Sequence, residues 1–370
     1  MIRWRKGTVE GIRREWPGAV ELDVSIEDDS IGGVPTEDGG TCRALAYPAL
    51  VGRPEPGDAV LLNTTALAMG LGTGGYAMVV AVPDRLPPDP AGPGHLVKAR
   101  YTPLQATVLG ADEQDSPHHD VLRDADSLDG MPVVVADLHS ALPPILAALL
   151  ADRPSARIVY VMPDGGALPA WFSMSIARLK DAGALAATVT VGQAFGGDLE
   201  AVTVHTGLLA ARLVLGADAV VLAQGPGNLG TGTRWGFSGV SAGEAVNAAA
   251  VLGGRPVGSL RVSEGDLRER HLGVSHHSLT AYGRVALAAA DVPVPELGGG
   301  FGARVAAGAA PLGERHRLVP VAVDGLHDIL RAAEKDWGVR LSTMGRRLDE
   351  DLAYFLTAAA AGRHTAALLA

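Results

Sequence analysis

The chain has 370 residues, 47% hydrophobic and 19% charged, with a formal net charge of -10. That composition excludes a disordered chain and gives enough length for two domains with cores of their own. The negative balance argues against nucleic acid as a partner, and the single cysteine, Cys42, excludes an intrachain disulfide and a Cys-based zinc site.

The opening MIRWRKGTVEG lacks the apolar core of a signal peptide. No uncharged apolar run reaches the roughly 20 residues of a bilayer span, so a cytoplasmic protein without membrane contact is expected. Of the 31 basic residues, 27 are Arg, which reads as GC-rich codon usage, so only individual Arg positions carry weight.

Residues 1–105 form one expected domain. GTVEGIRR, AVELDVSI, TCRALAY, DAVLLN and GYAMVVAV are short, β-branched and separated by Gly, Pro and Asp turns, which predicts a small β-rich barrel or sandwich. PDRLPPDPAGPGH (83–95) is a stiff connection, either an interdomain linker or a long loop.

Residues 106–370 form the second. Apolar runs recur as PVVVADL, ARIVYVM, AATVTV, DAVVLA, RPVGSLRV and LVPVAV, and most are separated by helix-length segments with apolar residues three and four apart. This predicts an α/β domain with a doubly wound, mostly parallel, Rossmann-like sheet. The Ala-rich C-terminal segment, interrupted by Arg363 and His364, reads as a packed surface helix. Ligands of such sheets lie outside the carboxyl ends of the strands, which singles out residues 137–140, 162–166, 192–198, 223–239 and 261–271.

In AQGPGNLGTGTRWGFSG (223–239), Gly225, Gly227 and Gly230 spell GxGxxG after a strand. A dinucleotide fingerprint needs a helix opening inside the motif, whereas glycines continue to Gly239 and the next helix is expected near Ser241; NAD(P) is disfavoured. A cradle of backbone amides for an anion suits the composition better, with Gly225, Gly227, Asn228, Gly230, Thr231, Gly232, Thr233 and Arg234 as its residues. A long irregular connection packed by Trp235 and Phe237 is the structural alternative. Arg261, emerging from a buried strand, needs a carboxylate or an anionic ligand.

His139 lies at a strand-to-helix edge, with Ser140 as the cap of a helix that carries Pro143 and Pro144 in its first turn. His276 and His277 fall in the first turn of a helix opened by Ser275, where the dipole favours neutral imidazole. Adjacent helical positions point about 100° apart, so this pair needs help to share a ligand. His271 could approach one of them, with Asp266 or Asp198 as oxygen donor; no HExxH spacing exists, and the metal candidates are His271, His276 and Asp266. His205 reads as a core histidine on a helical stripe. No GxSxG elbow or Walker A motif occurs.

LHSALPP, HTGLLAARLVLGADAVVLAQGPGNLGTGTRWGFSG and RVSEGDLRERHLGVSHHSLTAYGR, with RYTPLQ at 100–105, resemble the blocks of a bacterial family, domain of unknown function 3866. The resemblance spans nearly the whole chain and implies no activity and no catalytic residue.

The residues themselves point to an enzyme acting on a small anionic, phosphorylated or nucleotide-like metabolite, of hydrolase or transferase type. His139, Asp198, His276 and His277 are the candidates for proton transfer. The alternatives are a non-catalytic metabolite-binding regulator or scaffold and, second, an NAD(P)-dependent oxidoreductase. A divalent metal and a homo-oligomer are both left open.

Overall fold

The computed structural model describes residues 1–26, 40–71 and 74–369. The chain divides into two units, Met1–Pro93 with Ala99–Ala106, and Gly94–Lys98 with Thr107–Ala370. The proline-rich segment thus contains the first crossing between them.

In the first unit β1 (Trp4–Trp16), β2 (Ala19–Ile26), β3 (Thr41–Ala46), β4 (Ala59–Asn63) and β5 (Ala77–Ala81) close into a barrel in the order β1-β2-β3-β5-β4. Successive side chains on a strand face opposite ways, so Val20, Leu22 and Val24 of β2 enter the core with Cys42, Leu62 and Val79. Register shifts between Val9 and Gly11 and between Ile12 and Arg14 interrupt β1. Such irregularities bend a strand, which closing a barrel from few strands requires.

The second unit is built on β6 (Pro132–Ala136), β7 (Ile158–Met162), β8 (Ala187–Thr190), β9 (Leu199–Glu200), β10 (Ala219–Ala223), β11 (Arg255–Gly258), β12 (Asp291–Pro295) and β13 (Arg317–Val321). They form one sheet in the order β9-β8-β7-β10-β6-β11-β12-β13, and every neighbouring pair is parallel. Continuous apolar strands suit a sheet covered twice. Val134, Tyr160 and Val221 face one layer, containing α1 (Leu142–Asp152) and α2 (Met174–Asp181). Val133, Val161 and Val220 face the other, containing α3 (Val204–Leu213) and α4 (Ser241–Val251). After α4 come α5 (His276–Thr280), α6 (Gly299–Ala309), α7 (Leu326–Trp337) and α8 (Leu352–Leu368).

Two strands, β9 and β12, carry too little sequence signal to be expected. β9 has two residues, and β12 reads DVPVP, in which Pro293 and Pro295 bring no backbone donor.

The C-terminal helix corrects an expectation. α8 is buried along most of its length, not laid on the surface, and its Ala358, Ala361 and Ala366 share the α1 layer. A helix apolar on all sides belongs inside. Its close approach to α1 is set by Gly362, where an added Cβ would lie 2.1 Å from the Ile145 carbonyl oxygen. Arg363 escapes by donating to the Ala322 and Asp324 carbonyls, and His364 bonds Asp291.

Near the β9 edge, Lys98 is buried and donates to the carbonyls of Gly192, Ala194 and Ala201 while facing Glu200 at 3.4 Å. Among the described residues no helix is long and apolar enough to cross a membrane.

Candidate functional site

The strand order reverses around β6. The chain leaves β6 through α1 on one layer, but leaves the adjacent β10 through α4 on the other. Loops that part to opposite faces open a crevice at the carboxyl ends of the strands. Residues 137–140 after β6, 224–239 after β10, and Arg261 with the segment 271–277 after β11 all lie around it.

One side of the crevice is a cavity of about 240 Å³, lined by residues 138–140, 143, 175, 224–228 and 340–344. Gly225, Gly227 and Asn228 therefore line it, while Gly230, Thr231, Gly232, Thr233 and Arg234 do not. That second group is exposed in a small hairpin of its own. Gly230 bridges to Phe237, the Thr231 N–H donates to the Gly236 carbonyl, and the Gly236 N–H donates to Thr233 Oγ1. These bonds engage the Thr231 and Gly236 N–H groups and set the hairpin apart from the cavity lining. The helix after it opens with a 3-10 turn at Ser238–Val240 and continues as α4 from Ser241, not from Gly230. The helix N-terminus demanded by the dinucleotide fingerprint is thus missing at that glycine.

The cavity floor is tied together across the sequence. Ser140 Oγ donates to Thr343 Oγ1 at 3.1 Å and bonds Tyr354 Oη at 2.7 Å. It does not cap α1, as its position in sequence suggests; the first turn is instead a 3-10 turn at His139–Ala141. Gln224 Nε2 donates to the Asp137 carbonyl at 2.8 Å and to Asn228 Oδ1 at 2.9 Å, while its Oε1 is buried without a partner.

His139 lines the cavity but has both ring nitrogens engaged. Nδ1 lies 3.0 Å from Tyr160 Oη and Nε2 lies 2.7 Å from Ser173 Oγ. The Tyr160 hydroxyl donates to the carbonyls of Ala223 and Gln224. Its oxygen is then left to accept from His139 Nδ1–H, and Nε2 accepts from Ser173. Burial pushes the imidazole down to about 4, which keeps it neutral. His139 has no nitrogen to spare for a substrate, and positions the cavity wall.

On the far side of Asp137 lies a cluster of three imidazoles. The ring centroids of His271 and His276 are 5.0 Å apart, of His276 and His277 4.5 Å, and of His271 and His277 4.9 Å. Ser275 holds the group locally: its Oγ accepts from the His277 N–H as the cap of α5 and bonds His271 Nδ1 at 2.8 Å. Phe237 stacks on His277 at 3.7 Å, so the glycine-rich loop contributes an aromatic wall. Gly239 lets that loop reach β6, since a Cβ there would fall 2.9 Å from Asp137 Cβ.

Asp137 and Arg261 are both buried, at 6% and 4% exposure. The guanidinium NH1 is 3.8 Å from Asp137 Oδ2 and 3.1 Å from His277 Nδ1, which is itself 3.3 Å from Asp137 Oδ2. The carboxylate partner required by an Arg leaving a buried strand is therefore Asp137. Burial first, then the neighbouring His277, Arg270 and Arg261, push His276 down to about 4. Burial and then Arg261 push His271 to about 3.

The other expected residues lie elsewhere in the hydrogen-bond network. Asp198 accepts from Thr188 N–H and Oγ1 and pairs with Lys180. Burial alone would raise its carboxyl, but the Lys180 and Thr188 hydrogen bonds outweigh this and hold it below its ordinary value. Asp266 is clamped by Arg268 and Arg346, with the Arg268 hydrogen bond first among the causes that hold it far below the usual carboxylate range. It is a structural anion, and the third member of the histidine group is His277. His205 is exposed on α3, not buried.

Sequence reasoning overlooked Tyr160, Gln224, the 340–344 segment and Arg270. The last is exposed and lies against Gly232, although its charged neighbourhood reads as a solvated helix.

No curated protein and no solved structure matches the chain. A family model does, over residues 43–362, and the chain belongs to that family, described as protein of unknown function (DUF3866).

Proposed function

We propose that the protein is an enzyme acting on a small anionic metabolite, bound in the crevice beside β6 and β10. One observation carries this reading: the cavity wall holds hydroxyls, amides and the exposed Arg340, and no carboxylate, in a chain of net charge -10. A volume of about 240 Å³ is below the range of about 300–1,000 Å³ common for drug-sized ligands, which suits a small metabolite rather than a dinucleotide. The imidazole cluster on the far side of Asp137 brings three ionisable side chains close to the crevice, which favours catalysis over a purely regulatory role. The winding reversal at β6 supports a Rossmann-like reading of the sheet, with a ligand position in common but without the nicotinamide fingerprint.

The test is calorimetric binding of inorganic phosphate, sugar phosphates, nucleoside monophosphates and dicarboxylates, followed by turnover of each binder by NMR. Arg340→Ala should weaken binding about tenfold, the loss of one charge-assisted contact of roughly 1.4 kcal/mol, with an unchanged melting temperature. Arg234→Ala should leave affinity as it is. Equal affinity for wild type and Arg340→Ala would refute the site. Binding without turnover across the set would leave a metabolite-binding regulator in place of an enzyme.

A further inference from the structure

Three imidazoles in mutual contact are an unusual use of a protein interior. Histidines in a core ordinarily spend both nitrogens on hydrogen bonds, as His139 does. In the cluster, His271 Nδ1 is held by Ser275 and His277 Nδ1 faces Asp137, so on each ring Nε2 is the nitrogen left over. His276 Nε2 is buried and has no hydrogen-bond partner. One ring nitrogen from each residue lies within 4.8 Å of the others.

We propose that His271, His276 and His277 bind a divalent transition-metal ion of the zinc type. Metal–nitrogen distances of about 2.0–2.1 Å at tetrahedral angles place ligand nitrogens about 3.4 Å apart, so closing onto an ion takes about 1 Å of movement, within reach of imidazole rotation. The donor set is all nitrogen, which selects zinc, cobalt, nickel or copper over magnesium and calcium. Ligating histidines characteristically give their second nitrogen to a carboxylate or another polar group, and Asp137 and Ser275 stand in those places.

Adjacent positions can share an ion here because His276 is the first residue of α5, and the rings at 276 and 277 lean together to a 4.5 Å separation. Three protein ligands leave a fourth position open, as in catalytic rather than structural zinc centres. The nearby guanidinium of Arg261 is offset by Asp137; when Nε2 is ligated His277 carries its proton on Nδ1 and donates it to Asp137, so Arg261 NH1, a donor only, turns away from its 3.1 Å contact with that nitrogen. The inference stands on the ring geometry and holds whether or not the crevice is catalytic.

The full chain, stripped with a chelator and dialysed, is titrated with Zn²⁺ and with Co²⁺ at neutral pH. One Zn²⁺ per chain and the visible absorption of tetrahedral Co²⁺ are expected. X-ray absorption of the zinc-loaded wild type should show three imidazoles at about 2.0 Å. His276→Ala should abolish the Co²⁺ bands, and Asp137→Asn should weaken Zn²⁺ binding about 10- to 100-fold. His205→Ala, on an exposed surface, should change nothing. Failure to bind Zn²⁺ stoichiometrically, or fewer than three imidazoles in the wild-type spectrum, overturns the proposal without needing any variant to fold. Zinc binding that survives in a folded His276→Ala chain overturns it too. Loss of anion binding in Arg340→Ala with zinc retained would support both readings separately, and zinc binding with no anion binding in the wild type would leave the metal site standing alone.

Discussion

Replacing Asp137 by Asn removes a charge while keeping the shape and one oxygen acceptor for His277. The cost falls on Arg261, which is 4% exposed and has its guanidinium 3.8 Å from the carboxylate. At an effective dielectric of about 20, two unit charges at that separation attract by about 4 kcal/mol. Mutational experience with broken buried pairs gives about 3–5 kcal/mol, because the surviving charge is left uncompensated. A loss of about 3–4 kcal/mol is therefore expected. That is a large share of the roughly 5–15 kcal/mol that holds an ordinary domain folded. The assay is urea unfolding in the presence of chelator, so that metal plays no part, with the midpoint shifting at constant slope. The double variant Asp137→Asn/Arg261→Met removes the orphaned charge and should recover most of the loss, which a double-mutant cycle isolates. A cost below about 1 kcal/mol, or a double variant no more stable than Asp137→Asn alone, would refute the view that these two groups depend on each other.

His139 predicts a pH dependence. Its folded value is pushed from 6.5 to about 4, so as pH falls through that window the unfolded chain takes a proton that the folded chain refuses. Stability is lost on acidification, by about 3 kcal/mol at the lower end. Comparing pH 7 with pH 4 unfolding for wild type and His139→Gln should show the variant losing less by that amount; parallel losses would sink the idea. Gly362→Ala sets a helix-propensity gain of about 1 kcal/mol against overpacking of about 1–3 kcal/mol or more. With the new Cβ 2.1 Å from a backbone oxygen that cannot swing away, overpacking wins. A net loss of about 1–2 kcal/mol in chemical denaturation is expected, and a more stable variant would show that α8 and α1 can part without cost.

Much of this architecture is written locally. The five barrel strands follow from β-branched alternation and turn residues. Six of the eight sheet strands follow from apolar runs whose two faces are both covered. The strands that escape notice are those whose local chemistry speaks against them, above all DVPVP. At the site, the edge of the sheet was legible because loops after parallel strands collect polar and glycine residues. The assignment of roles within it was not. Whether a histidine has a free nitrogen depends on partners such as Tyr160 and Ser173, which are 21 and 34 residues from His139 in sequence. The glycine-rich loop advertises flexible backbone but not the small hairpin that sets residues 230–234 apart from the cavity lining. The 340–344 segment, brought to the cavity through Ser140 and Thr343 from 203 residues away, carries no sequence mark of its destination. His271 and His276 are readable in sequence as possible ligands, but Asp266 reads as one only because its two arginines are invisible as partners until the chain is folded.

The winding reversal at β6 has a mechanical consequence. Residues 138–143 run into α1 and residues 224–240 into α4, so the two walls of the crevice lead into helical layers on opposite faces of the sheet. A molecule lodged between those walls fastens one layer to the other over the rim of the sheet, as a keystone locks two sides of an arch. A ligand held there would therefore couple the two layers to each other, and its departure would release them.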